Sequence, residues 1–354
     1  MDATRNILTL ACAVVAVCAT PSVKADFKFG QPAGLESAIP ALDGAVDWVD
    51  CFLYDGLEMY ISSLREGGGQ GQGIWDLWVL KRASVAEEWG PPENLGPAVN
   101  SPQEDSCSSI SPDGLSLYFC SDRPGGHGEY DIYVTTRPTK GDPWNPPMNL
   151  GPTINCSATD GVPWISPDGL ELYFQSYRQG GYGGSDVFLA RRATTQDPWG
   201  SPVNLGPVVN SAYDEHFPSL SPDGLLLLFS DHPWEGTPRP GGYGSSDIWM
   251  AKRESPSASW QAPVNLGPIV NGAQRDALPR ISLDGSTLYF RSDRVGGFDS
   301  WQASIIPIVD FDGDGKVDDQ DMIILSEHWG LSYPPCDIGP FAWGDGVVDE
   351  KDLK

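Results

Sequence analysis

The densest set of oxygen ligands in the chain is DFDGDGKVDDQD, residues 310–321. Asp310, Asp312 and Asp314 alternate, and Gly315 follows where the backbone must turn sharply. Lys316 then offers its carbonyl, and Asp318 and Asp321 complete the register. A hard cation such as Ca²⁺ takes oxygens at this spacing, and without a metal the carboxylates would repel one another. A second copy, GDGVVDEKDL, places Asp345, Gly346, the Val347 carbonyl, Asp349 and Asp352 in equivalent positions. There Phe341 and Trp343 stand where the first two acids should be, and Asp337 lies four residues too far back. That site is therefore weak, or built around an enlarged loop.

Five more acids share a register of their own. Asp47, Asp105, Asp160, Glu215 and Asp276 each stand nine residues before a glycine of the turn SPDG or its variants LYDG and SLDG. Carboxylates ringed closely would raise one another's pKa or require a cation between them. The alternative is that each acid caps its own loop by accepting backbone N–H bonds. A third set lies in the loop HPWEGTPRPGGYGSS, where Trp234, Arg239 and Tyr243 could stack on sugar rings or grip a ligand.

Positioning these groups falls to an imperfect repeat. Its turn glycines are 58, 55, 55 and 61 residues apart, so one supersecondary unit is copied five times and must stack on its neighbours to bury its apolar face. Strand a runs into the turn. Strand b follows with an aromatic-aliphatic triplet such as Leu117-Tyr118-Phe119. After a Gly-Gly turn, strand c opens on Asp76, Asp131, Asp186, Asp247 or Asp299. Strand d reads W-x-x-P-x-N-L-G from Trp89, Trp144, Trp199 and Trp260. An arginine recurs after strand b (Arg65, Arg123, Arg178, Arg294), with His232 in its place in unit four.

Radial repetition of four-stranded units makes a β-propeller. The fifth unit lacks strand d, and Phe29–Leu35 matches W-x-x-P-x-x-L position for position. The sequence thus predicts an all-β, five-bladed β-propeller closed by an N-terminal outer strand, plus a small C-terminal α module. In such a meander the d–a and b–c loops share one face, which puts Trp234 and Tyr243 beside the five acids.

The pattern SPDGxxLYFxSxRxGGxGxxDIW resembles the WD40-like (PD40) repeats of TolB-type propellers, over roughly residues 27–306. That resemblance implies the fold and a binding platform, without naming a ligand. The C-terminal loops, with Asp in place of Glu at position 12 and MIILSEHWG at helical spacing, resemble a type I dockerin. That resemblance implies docking to a cohesin-bearing scaffold in a polysaccharide-degrading setting, with Asp319 and Gln320 at the positions that help select the cohesin. The expected domains are a signal peptide at 1–25, the propeller at 26–306 and the dockerin-like module at 307–354.

With a net charge of −26, the chain would be repelled by nucleic acid and anionic membranes, and it suits neutral glycans, cationic surfaces and Ca²⁺. Arg5, an apolar run of 13 residues and Val23-Lys24-Ala25 read as a secretory signal cleaved near Ala25. Val17 before Cys18 is bulkier than lipoprotein signals prefer. A secreted, periplasmic or surface-held monomer without membrane insertion follows. Once Cys12 and Cys18 leave, five cysteines at irregular spacing remain, which is no disulfide framework, although one bridge between blades stays open.

The sequence lacks G-x-S-x-G, H-E-x-x-H and a P-loop, and its four histidines suggest no triad. Three functions remain. The first is a platform for a carbohydrate or protein ligand, tethered through calcium. The second is a glycoside hydrolase or lyase that uses channel-mouth carboxylates. The third is a surface interaction protein unrelated to sugars.

Overall fold

The computed structural model describes residues 27–42, 45–66, 74–231, 239–297, 299–307, 311, 319–331 and 348. Within them lie five antiparallel sheets, four of them built in the chain order a, b, c, d from the channel outward. Blade 1 comprises Asp47–Phe52, Glu58–Ser63, Asp76–Lys81 and Glu93–Asn94. Blade 2 comprises Asp105–Ile110, Ser116–Ser121, Asp131–Thr136 and Met148–Asn149. Blade 3 runs through Asp160–Ile165, Glu171–Ser176, Asp186–Arg191 and Val203–Asn204. Blade 4 uses Glu215–Leu220, Leu226–Asp231, Asp247–Lys252 and Val264–Asn265. In blade 5, Asp276–Ile281, Thr287–Ser292 and Asp299–Pro307 come from the end of the repeat region.

The outer edge of blade 5 comes from the N-terminal segment. Phe27–Phe29 pairs with Ile305–Pro307, and Ala33–Gly34 pairs with Trp301–Gln302. Gly34 opposite Trp301 reproduces Asn94 opposite Trp78 in blade 1, so the register matches a true strand d. The ring closes as the sequence predicts.

Strand b is buried along its whole length in blades 1, 3 and 4. A neighbouring blade covers each of its faces, which is why the sequence shows an apolar run there instead of alternation. Five apolar clusters result, one at each junction between blades. The fifth packs Leu35, Ile39 and Leu42 of the N-terminal segment against Val49, Met59 and Leu80 of blade 1.

Strand d is shorter than its motif. Regular pairing is confined to two residues, because a proline without an N–H stands directly before each pair. The motif tryptophan packs elsewhere. Trp144 lies under the Arg137 guanidinium at 4.4 Å and edge-on to Tyr60 of the preceding blade at 6.4 Å; Trp199 and Trp260 repeat both contacts.

Toward the channel, strands a of blades 1 and 5 bring together two fully buried charged side chains. Arg280 donates Nε to the Asp50 carbonyl at 2.7 Å and stacks on Trp164 at 4.8 Å. Asp50 Oδ2 accepts from Ser62 Oγ, Ser108 N and Ser108 Oγ. Burial nonetheless pushes the Asp50 pKa up to about 6. No helix among the described residues is long and apolar enough to cross a membrane.

Candidate functional site

All five register acids begin their strands a, and each is at most 5% exposed. Their oxygens are engaged within their own blades. In blade 3, Asp160 Oδ1 takes Arg178 Nη2 at 2.6 Å and Ser176 Oγ at 2.6 Å, while Oδ2 takes Cys156 N at 2.6 Å. Asp276 meets Arg294 at 2.7 Å and Gly272 N at 2.6 Å. Asp105 pairs with Arg123 and Ser101 N, and Asp47 with Arg65. Each guanidinium also stacks on blade aromatics, as Arg178 does on Phe174 and Phe188. These contacts are those of loop caps.

Blade 4 departs from the pattern. Glu215 replaces Asp, and its partner is Arg239, 3.5 Å away. Arg239 stacks on Phe229 and Trp249 as Arg178 does on its own pair, so it fills the place the register assigns to His232. His232 and Trp234 lie outside the described residues. Tyr243 is 52% exposed, and its backbone N–H is held by Asp247. Burial pushes the Glu215 pKa up to about 7, against the pull of Ser211 and Arg239. Burial likewise raises Asp276.

The strand-c aspartates hold the turns above them. Asp131 accepts from His127 N at 2.6 Å, Gly128 N at 3.0 Å and Asn149 Nδ2 at 2.8 Å. A Cβ at Gly128 would come within 2.0 Å of the Ala158 carbonyl, so the b–c loop of blade 2 touches the d–a connection leading into blade 3. That close approach builds one wall of a cleft.

The cleft has a volume of about 520 Å³ and spans blades 1 to 3 on the face of the d–a and b–c loops. Trp48, Trp75, Tyr130 and Tyr177 supply aromatic surface, and Glu104 and Glu129 supply carboxylates. Trp48 follows the first register acid, while Trp75 and Tyr130 each stand directly before a strand-c aspartate. The Trp48 and Trp75 rings lie 3.8 Å apart at 42°. Behind them the Arg291 guanidinium lies 4.2 Å from the Trp48 ring.

Polar contacts fix the remaining walls. Tyr130 donates its hydroxyl to Glu104, whose backbone N–H is bound by Asp122 at 2.9 Å. Burial first, then Glu104, raises the Tyr130 pKa. The Tyr177 hydroxyl lies 3.3 Å from Nε2 of buried His216, with Asp214 4.0 Å from that nitrogen. Burial and then Asp214 push the Tyr177 pKa up to about 12, so it is a neutral phenol at ordinary pH. The floor contains Val162, at φ 49°, an outlying backbone conformation for a β-branched residue. Cys107, Phe217 and Leu278 repeat that conformation in their own strands a, so a strained bulge recurs in blades 2 to 5.

None of the four cleft aromatics belongs to the blade 4 set that the sequence singled out. A usable signal existed: residues directly before the strand-c Asp are Trp75 and Tyr130 in blades 1 and 2 and Phe298 in blade 5, but Ser185 and Ser246 in blades 3 and 4. Cys51, Cys107, Cys120 and Cys156 are free thiols, and Cys336 lies outside the described residues.

Of the first acidic loop, Phe311, Asp319, Gln320 and Asp321 are described. Asp321 is 2% exposed, and its Oδ1 accepts the Phe311 N–H at 2.6 Å, which draws the last residue of the acidic stretch back to its start. Helix α1, Asp319–Glu327, follows, and the chain turns at Gly330 with φ 75°. Leu325 and Val348 pack together with Phe311 and Ile324, and Gly330 N and Val348 N bond across to Val348 O and Leu331 O. Asp310, Asp312, Asp314, Lys316, Asp318, Asp345, Val347, Asp349 and Asp352 lie outside the described residues. Among the described residues, no group of three or more His, Cys, Asp or Glu could hold a metal ion.

No protein-family model and no curated protein matches this sequence. Similar solved structures include a protein assigned as TolB from Agrobacterium tumefaciens, 20% identical over 61% of this chain and 63% of that one, with a TM-score of 0.41. The TolB of Acinetobacter baumannii is 14% identical over 73% of this chain and 54% of its own, with a TM-score of 0.46. The chain therefore spans less than two thirds of either. An α-L-arabinofuranosidase from Podospora anserina, in complex with cellotriose, is 14% identical over 79% and 96% of the two chains, with a TM-score of 0.46. The propeller rests on the strand pairing described above and not on these likenesses.

Proposed function

We propose that this protein is an exported propeller that binds a glycan in the channel-mouth cleft of blades 1 to 3. In this reading the C-terminal segment is a calcium-dependent, dockerin-like tether to a cohesin-bearing or other extracellular assembly. The observation that carries the binding role is the aromatic wall of Trp48, Trp75, Tyr130 and Tyr177 in one concave site with two carboxylates. Flat aromatic surface suits the apolar faces of sugar rings, while a few fixed polar groups orient the hydroxyls.

For the tether, the support is the DFDGDGKVDDQD register together with the buried Asp321 bound to the Phe311 N–H. Bound Ca²⁺ would be held by Asp310, Asp312, Asp314, Asp318, Asp321 and the Lys316 carbonyl, with Asp345, Val347, Asp349 and Asp352 as a second set. The metal would neutralise the loop charge.

The runner-up is a glycoside hydrolase. The buried register acids are committed to arginines, so catalysis would fall to Glu104 and Glu129. A polysaccharide panel scored for both binding and released reducing ends separates the two. Binding without turnover supports the platform; turnover lost in Glu104→Gln with binding retained supports the hydrolase. No binding to any glycan overturns both.

A further inference from the structure

We infer that the cleft selects a sugar unit carrying a free ammonium group over neutral glycans. This rests on the glycan-binding reading above and names the ligand's charge. Glu104 and Glu129 both line the cleft, and among the described residues lining it there is no Lys, Arg or His. Tyr130 donates its hydroxyl to Glu104 and holds that side chain beside aromatic surface. Glu129 is exposed and receives only a long contact from Thr159, at 3.5 Å, so its oxygens remain available to a ligand.

One guanidinium stands behind the aromatic wall and not among the residues lining the cleft. Arg291 is 4% exposed behind Trp48, with Arg275, Asp299 and Asp293 around it. It lies 4.2 Å from the Trp48 ring, a cation–π contact made on the buried side of the wall. His216 is buried behind Tyr177, next to Asp214.

A neutral oligosaccharide entering the cleft would strip water from two carboxylates and return only hydroxyl hydrogen bonds. An ammonium returns a charge-assisted bond to a carboxylate and a favourable contact with the rings. The net charge of −26 brings cations toward the protein from a distance, in the same sense.

The test is calorimetric titration of the full chain, with Ca²⁺ present, using three oligomers of equal length: glucosamine, N-acetylglucosamine and glucose in β-1,4 linkage. The glucosamine oligomer should bind roughly ten-fold or more tightly than either neutral oligomer at about 0.15 M salt. Glu129→Gln, at an exposed position, should lower that preference, and Glu104→Gln with Glu129→Gln should erase it. Trp75→Ala should weaken all three ligands. Equal affinity for neutral and amino oligomers would overturn the charge preference and leave the glycan reading intact. Unchanged glucosamine affinity in the double variant would overturn it as well, by assigning the binding to the protein's general surface charge. No binding of any oligomer would overturn both readings.

Discussion

Arg239 Nη1 lies 3.5 Å from Glu215 Oε1, across a b–c connection of 15 residues where blades 2 and 3 use nine. The ion pair keeps its place in the blade although the loop has grown, because stacking on Phe229 and Trp249 fixes the guanidinium. The longer glutamate side chain and the added distance weaken the contact. In blade 3, where Arg178 meets Asp160 at 2.6 Å, the strand-b end also supplies a serine hydroxyl. Blade 4 has Asp231 at the corresponding position, so two buried acids share one arginine's neighbourhood.

That imbalance gives the fold a pH dependence. Glu215 is raised from 4.5 to about 7 and Asp231 from 3.8 to about 6, burial being the largest cause for both. The native state then holds protons that the unfolded chain releases. Stability from these groups is full below their unfolded values and is lost as pH rises through the folded ones. Asp55, Asp214 and Asp284 are lowered, so their contributions fade only at more acidic pH, outside this window. The thermal midpoint should therefore be higher near pH 5 than near pH 8, with the raised Asp50 and Asp276 acting in the same sense, and Glu215→Gln should reduce the difference. The Glu215 shift corresponds to about 3 kcal/mol. Identical pH slopes for wild type and variant in calorimetric melts would count against this account.

Trp75 belongs to the cleft wall and is only partly buried, with one neighbour ring at 3.8 Å. Trp75→Ala should lower affinity for the bound glycan by about ten-fold or more while costing the fold about 1 kcal/mol or less. Equilibrium binding and a urea titration read the two effects separately. A large loss of stability with unchanged affinity would make Trp75 a packing residue.

Much of the ring could be read from the sequence because each blade repeats the same physical demands. The turn glycine at 114 has φ 74° and closes on Ser111, the strand-b triplets are buried between blades, and Phe29–Leu35 carries the outer-strand pattern. The cleft was harder to read because it depends on differences among blades. Repeat logic draws the eye to positions that recur, such as the register acids, and recurring positions mostly maintain the fold. Trp75 and Tyr130 stand at a position that varies among the units, being Ser185, Ser246 and Phe298 in the others, and the contact of a b–c loop with the next d–a connection helps to bring them together. His232 was assigned by register alone, which a loop insertion defeats.

Ring closure makes the N-terminal segment structural. Leu35 is 1% exposed and packs in the junction between blades 5 and 1 with Met59 and Leu80. Leu35→Ala should cost roughly 2–4 kcal/mol, comparable to an interior position of a central strand such as Leu172→Ala. Chemical denaturation of both variants compares them directly. A cost under about 0.5 kcal/mol at Leu35, the level of an ordinary surface change, would mean that the closure contributes little to stability.

Calcium removal should act on one part of the chain. Asp321 sits at the last position of the proposed calcium loop and bonds the Phe311 N–H, and Leu325 of α1 packs with Val348 from the second acidic stretch. These contacts hold a small apolar cluster at the centre of a highly acidic segment. With the metal gone, repulsion among the loop carboxylates has only that cluster to oppose it, and metal binding and folding become one equilibrium. The propeller has five apolar clusters of its own, none of which includes a described residue of the loop. Chelation should therefore remove helical circular dichroism and a low-temperature calorimetric transition, leaving the main transition within a few degrees of its original midpoint. Asp321→Ala should reproduce the chelated state in the presence of Ca²⁺, since it deletes both a ligand and the bond to Phe311. A fall of the main transition on chelation would instead place a structural cation in the propeller, with Glu215 and Asp231, the paired buried acids of blade 4, as the first residues to substitute.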